Sequence, residues 1–265
     1  MTKYKINGLN VNVYGEEGNP VIIFIHAFPL SGEMWEPQVK EFEKEYRVIT
    51  YDLRGFGKSE RGDGIYTIDS HADDVFTIIE ELKLYKLVIC GLSMGGYITL
   101  RVLERAQEMF KAAILCDTRA EADNNLSKLD RALQIKQIKS GDINTFYDNF
   151  LNGGLSQNTL NNKRDVVSKI REIMNEQNPT IVMGALMTLA ARADKTEFLE
   201  KISIPILILV GEEDKLTPPE LSVSMNKKIK GSELITIPDS GHFSNVENAP
   251  AFNEAIRKFL KKLKN

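Results

Sequence analysis

Three residues in this chain have the types and settings that nucleophilic catalysis needs: Ser93, His242 and Asp214. Ser93 stands in Cys90-Gly91-Leu92-Ser93-Met94-Gly95-Gly96, with a glycine two residues to either side. A serine hydroxyl is a weak nucleophile until a base takes its proton, and the usual base is histidine. The chain has three histidines. His71, in Asp69-Ser70-His71-Ala72-Asp73-Asp74, opens a helix upstream of the serine and reads as a helix-surface or capping residue. His26 ends an apolar strand ahead of Ala27-Phe28-Pro29 and suits a loop organiser better than a base. His242, in Asp239-Ser240-Gly241-His242-Phe243, falls between the last strand and the last helix, at the end of the sheet where parallel strands build their sites.

An imidazole base needs a carboxylate to hold its tautomer and stabilise the imidazolium. Gly211-Glu212-Glu213-Asp214-Lys215-Leu216-Thr217-Pro218-Pro219 offers three acids directly after a core strand. Asp214 is the choice, because it follows the strand-ending glycine by three residues and precedes a proline-rich helix start that would fix it. Glu212 and Glu213 are expected to be solvated. Asp117, just beyond Cys116 at the end of another strand, is the competitor.

The elements that must hold these residues are short β-branched runs: 21–25, 46–51, 86–90, 111–116, 205–210 and 232–237. Most are apolar throughout, as strands covered on both faces are. Helix-period segments over 69–82, 94–109 and 250–263 alternate with them, which predicts a mostly parallel sheet with helices on both sides. The N-terminus, MTKYKINGLNVNVYG, alternates like an opening strand. From about 120 to 202 the alternation stops and charged, helix-favouring sequence runs on, so 1–119 and 203–265 are expected to form the core and 120–202 an all-helical insertion. Gly153-Gly154 and Asn161-Asn162 mark turns between its helices. Phe146, Phe150, Met183 and Met187 either face a pocket or pack the insertion together.

The segment 86–96 therefore runs strand, tight turn, helix. That setting presents the serine hydroxyl in a strained, exposed position, with glycines where a Cβ would clash with strand and helix. It also aims free helix N–H groups at the serine, and places the Met94 amide to bind a developing oxyanion.

The order serine, acid, histidine, together with GLSMGG, resembles the α/β-hydrolase superfamily, and the likeness covers nearly the whole chain. His26-Ala27-Phe28-Pro29 is similar to an HGFP-type oxyanion loop, Asp52 to Ser59 to the family's DxRGxGxS segment, and Ser240-Gly241-His242 to its C-terminal SGH motif. The resemblance implies an α/β-hydrolase fold with a small helical cap over the pocket, and an oxyanion hole made by the backbone N–H groups of Phe28 and Met94. Ala27 departs from the usual glycine and would strain the loop if that position needs a positive φ. The proline after Glu247 stands one position later than in many relatives, which touches only the start of the last helix.

Other chemistries fit less well. Gly57-Lys58-Ser59 ends like a phosphate-binding loop, but the required glycine five residues before Gly57 is Asp52. GLSMGG lacks dinucleotide-binding spacing, and three scattered histidines make no metal cluster, so no cofactor and no metal are implied. A hydrophobic fraction of 42%, a charged fraction of 27% and a net charge of −3 over 265 residues describe an ordinary globular chain with no basic excess for nucleic acid. Apolar runs are too short to span a membrane and no secretory leader is read, so a cytoplasmic protein is expected. Cys90 and Cys116 read as buried free thiols.

The expectation is a cofactor-free serine hydrolase cleaving small carboxylic esters. Cys116-Asp117-Thr118-Arg119-Ala120 and the small cap resemble carboxylesterases and 3-oxoadipate enol-lactonases, and related scaffolds include perhydrolases. An enol-lactonase should carry a cation for its substrate's carboxylate, and Arg119 or Arg192 could serve, although arginines are usually surface residues. The non-enzymatic alternative is a protein that binds a small ligand on the same scaffold, but a pure binder has no chemical need for an activated serine. Dehalogenase or epoxide-hydrolase chemistry needs an aspartate where Ser93 stands.

Overall fold

Five apolar runs, each five to seven residues long, make the middle of an eight-stranded sheet. The computed structural model describes residues 1–263. Its first half runs β1 (Thr2–Ile6), β2 (Leu9–Tyr14), β3 (Val21–Ile25), α1 (Glu36–Phe42), β4 (Arg47–Tyr51), α2 (Ile68–Glu81), β5 (Leu87–Leu92), α3 (Met94–Ala106) and β6 (Phe110–Cys116). Five helices follow: α4 (Asn125–Lys139), α5 (Ile143–Gly154), α6 (Gln157–Asn162), α7 (Arg164–Asn175) and α8 (Pro179–Ala191). The chain closes with β7 (Ile206–Gly211), α9 (Pro219–Lys228), β8 (Glu233–Ile237), α10 (Ser244–Glu247) and α11 (Ala249–Lys262).

The strand order is β1-β2-β4-β3-β5-β6-β7-β8. β2 pairs antiparallel with β1 and β4, and the other neighbours are parallel, each crossover carrying a helix. The opening strand of the sequence reading is two strands, because Asn7-Gly8 supplies two consecutive positive φ values, +46° and +80°, for a tight hairpin. Edge strand β1 exposes four of its five residues and carries Lys3 and Lys5, which discourages edge pairing. β4, β5 and β7 are buried along their whole length and β6 everywhere but Lys111, which is why they read as mostly apolar runs rather than alternating ones.

The helices cover the sheet through amphipathic faces. α11 buries Phe252, Ile256, Phe259 and Leu260, each contributing about 1.5–3 kcal/mol of burial, and leaves its lysines outside. α2 starts under a capping box of Thr67 and Ser70 and buries Ile68, His71, Ala72, Val75, Ile78 and Ile79. His71 is therefore not the surface or capping residue expected of it. It falls on the i, i+3, i+4, i+7 stripe that faces the sheet, while Asp69 and Asp73 on the outer side pair with Arg101 and Arg105 of α3.

Gly153-Gly154 and Asn161-Asn162 close α5 and α6. Of the four side chains considered for a pocket, Phe146 is buried against Phe28, Phe150 reaches the cleft described below, and Met187 is 61% exposed. Met183 is half-buried against the core. Cys90 and Cys116 are buried free thiols on neighbouring strands, with sulfurs 3.7 Å apart. Among the described residues, no helix is long and apolar enough to cross a membrane.

Candidate active site

The turn between β5 and α3 is built from glycines because nothing larger fits. A Cβ on Gly91 would lie 2.1 Å from the Gly95 carbonyl oxygen, and one on Gly95 would lie 2.2 Å from that of Ile25. Ser93 at the apex has φ +54° and ψ −112°, a conformation that non-glycine residues rarely take. The end of β6 and the loop after it hold it there: the Ser93 N–H donates to Cys116 O at 2.9 Å, and Thr118 Oγ1 donates to Ser93 O at 2.9 Å. The strain fixes the hydroxyl at the C-terminal end of the sheet, above the start of α3.

His242 Nε2 lies 2.8 Å from Ser93 Oγ. On the other side of the ring, Nδ1 lies 2.9 Å and 3.0 Å from the two oxygens of Asp214. A proton on Nδ1 donated to the carboxylate leaves Nε2 free to accept from the serine. Asp214 Oδ1 accepts from the Leu216 and Thr217 amides and Oδ2 from Thr217 Oγ1 at 2.6 Å, so the carboxylate cannot swing away. Burial pushes its pKa up, but the imidazole charge and the Thr217 bonds outweigh burial and hold it below the ordinary value. Both Asp214 and His242 are buried. Of the neighbouring acids, Glu212 is exposed, and Glu213 accepts from the Gln157 amide.

The other two histidines do not approach Ser93's hydroxyl in this way. His26 donates from Nδ1 to Ala27 O and accepts the Leu53 N–H at Nε2, tying the loop after β3 to the one after β4. Ala27 itself takes no left-handed conformation, so its Cβ causes no backbone strain. The tight approach of Gly95 to the end of β3 sets the Phe28 loop beside the first residues of α3. Phe28 packs edge-on to Phe150 at 5.8 Å and lines the cleft with Ser93. Met94 opens α3, where the first N–H groups have no partner inside the helix.

Asp117 does not reach His242. Its φ is +43°, and its carboxyl receives the Gly211 N–H at 2.7 Å and meets Ser244 Oγ at 2.5 Å, which ties the end of β6 to the acid loop and the histidine loop. Burial and the charge of Asp214 raise its pKa well above normal. Glu247, which the sequence reading passed over, does comparable work: Oε1 accepts the Gly241 and Phe243 amides and Oε2 the Ser156 amide. The His242 amide donates to Gly154 O at 2.6 Å, joining the histidine loop to the end of α5. Thr217 could have been found from its Asp-x-x-Thr spacing, a common local side-chain turn. Glu247 carries no such local signal.

The cleft over Ser93 measures about 70 Å³, and Tyr97, Leu189, Leu216 and Thr217 help to line it. Arg119 and Arg131 also reach it, whereas Arg192 is buried behind them against the Tyr97 ring. Neither Arg119 nor Arg192 is a free surface cation, because both pair with buried Asp123.

Residues 20–249 match the family model for the alpha/beta hydrolase fold, and the chain belongs to that family. An esterase from Thermogutta terrifontis, solved with malate bound, superposes over 100% of both chains with a TM-score of 0.93 and 33% identity. The chain is 30% identical to 3-oxoadipate enol-lactonase 1 of Acinetobacter baylyi, over 96% of this chain and 94% of that one. It is also 30% identical to a putative non-heme chloroperoxidase of Synechocystis, over 96% of each. The fold and these relatives define a hydrolase.

Proposed function

We propose that this hydrolase cleaves small carboxylic esters through an acyl-enzyme on Ser93, with Asp214 and His242 completing the triad. The observation that carries the reading is the continuous contact from Ser93 Oγ to His242 Nε2 at 2.8 Å and from His242 Nδ1 to Asp214 at 2.9 Å. His242 takes the hydroxyl proton as Oγ attacks the ester carbon, and the carbonyl electron pair moves onto oxygen. The N–H groups of Phe28 and Met94 hold that oxyanion, each worth about 3 kcal/mol in the transition state. As the intermediate collapses, the imidazolium returns the proton to the departing alcohol. Water then repeats the sequence, with His242 as base, and frees the acid and Ser93. Helices 120–202 act as a cap that excludes bulk water from these steps.

A volume of about 70 Å³ holds a handful of water-sized groups, which suits short acyl chains. Lactone opening uses the same steps with the alcohol left tethered, and the enol-lactonase relative supports testing lactones beside linear esters.

The test is release of p-nitrophenol from the acetate, butyrate and octanoate esters by the native chain and by Ser93→Ala, with stoichiometric fluorophosphonate labelling of both. Turnover and labelling that both vanish in Ser93→Ala, with acetate or butyrate preferred over octanoate, agree with the proposal. A native chain that neither labels nor turns over any ester would refute it in favour of ligand binding without catalysis.

A further inference from the structure

Asp123 has no exposed side-chain surface, and three guanidinium groups converge on it: Arg119 Nη2 at 2.5 Å, Arg192 Nη1 at 2.8 Å and Arg131 Nε at 3.3 Å. Burial pushes the Asp123 carboxyl up, but the three cations outweigh burial and hold it below its ordinary range. One carboxylate against three arginines leaves positive charge in excess. The three cations differ in how far they are already used. Arg192 is sealed, with its side chain 3% exposed, Nη1 donating to Leu189 O, Nη2 to Glu121 O, and the guanidinium 4.3 Å from the Tyr97 ring centroid. Arg119 and Arg131 keep 19% and 21% of their side chains exposed and line the same cleft as Ser93 and His242. Among the described residues, Asp123 is the only carboxylate either of them pairs with, and the buried Nε of Arg119 has no hydrogen-bond partner. Holding two like charges side by side at a cleft costs energy that a structural lock of the insertion does not require, since Asp123 is already paired with Arg192. An anion in the cleft would complete the network.

We propose that Arg119 and Arg131 form an anion subsite in the cleft that takes a free carboxylate on the substrate, so that the preferred substrates are esters carrying a carboxylate close to the scissile bond. This rests on the ester-hydrolase reading of Ser93. The carboxylate belongs to the acyl half, as in a half-ester of a dicarboxylic acid, or to the alcohol half, as in an ester of a hydroxy acid. A guanidinium gives either a planar pair of charge-assisted bonds.

Two matched pairs separate these sources. Mono-4-nitrophenyl succinate against 4-nitrophenyl pentanoate reads the acyl side, and 2-acetoxypropanoate against sec-butyl acetate, followed by pH-stat, reads the alcohol side. The expected result is kcat/KM at least about 10-fold higher for the anionic member of one pair. The anionic-to-neutral ratio should then fall by about 10- to 100-fold in Arg119→Gln and in Arg131→Gln, mostly through KM, with Arg131→Lys recovering part of it. Both glutamine variants leave Asp123 with two cations, so the fold is retained. A ratio at or below one in both pairs, or a ratio the variants do not move, overturns the subsite. If no ester is turned over, the decision passes to Ser93→Ala: a rise in Tm with succinate that disappears on adding Arg131→Gln keeps the subsite while the ester-hydrolase reading falls. No rise there removes the subsite as well.

Discussion

Replacing His71 by leucine should flatten the acid side of the stability profile while leaving the ester chemistry in place. His71 is fully buried on the inner face of α2, and neither ring nitrogen has a hydrogen-bond partner among the described residues. Burial, with smaller help from the charges of Arg54 and His26, lowers its pKa from 6.5 to about 3. In the unfolded chain the same ring takes up a proton below 6.5, so between 6.5 and 3 the unfolded state binds more protons and stability drops as the pH falls. At about 1.36 kcal/mol per pH unit, the 1.5 units from 6.5 to pH 5 cost roughly 2 kcal/mol, a loss that leucine at this position does not suffer. Leucine also has nearly the volume of histidine and removes two unmet polar atoms, a gain of about 1–3 kcal/mol at neutral pH. Urea denaturation of both chains at pH 7 and pH 5 measures these differences directly. Equal losses in the two chains on acidification, or a leucine variant markedly less stable at pH 7, would refute the reasoning, since either would mean that the ring nitrogens are well satisfied in the fold.

Three further outcomes are expected. Asp214→Asn keeps an acceptor for the Leu216 and Thr217 amides but presents the wrong partner to His242 Nδ1, so kcat for a nitrophenyl ester should fall by about 10⁴ with little change in Tm. Gly95→Ala places a Cβ 2.2 Å from Ile25 O and should cost about 3 kcal/mol or more in a thermal melt, while slowing fluorophosphonate labelling of Ser93. Asp117→Asn should raise stability at neutral pH. The acid's raised folded pKa makes its contribution complete below an unfolded value near 3.8 and progressively lost as pH climbs, and asparagine can still accept from Gly211 and donate to Ser244 without a charge. Urea midpoints at pH 7 for both chains check this, and nitrophenyl-ester turnover should survive within a few-fold.

What could be read from the sequence was local. The five buried strands announce themselves by continuous apolar runs, and Ser93 by glycines whose absence of Cβ is a requirement of one turn. Asp214 and His242 were legible because each falls a few residues beyond a strand, Asp214 after buried β7 and His242 after the edge strand β8. Asp117 was different: its partners Gly211 and Ser244 lie 94 and 127 residues away, so only the folded arrangement of three loops shows that it ties them rather than serving His242. His71 misled because its residue type was weighed above the helical stripe it shares with Ile68, Ala72 and Val75, although that stripe was there to be counted. The Asn7-Gly8 turn was likewise visible in residue type. The convergence of Arg119, Arg131 and Arg192 on Asp123 was not, because it depends on how α4 and the end of α8 settle over the sheet.

The bond from the His242 amide to Gly154, reinforced by Glu247 gripping Ser156 on one side and Gly241 and Phe243 on the other, joins the His242 loop to the end of α5. A Cβ on Gly241 would sit 2.3 Å from Gly154 O, so the two segments ride against each other with no slack. The end of α5 and the His242 loop are thus coupled. An excursion that lifted this end of α5 would carry the imidazole away from Ser93, so under the proposed mechanism opening the chain there would also disarm it.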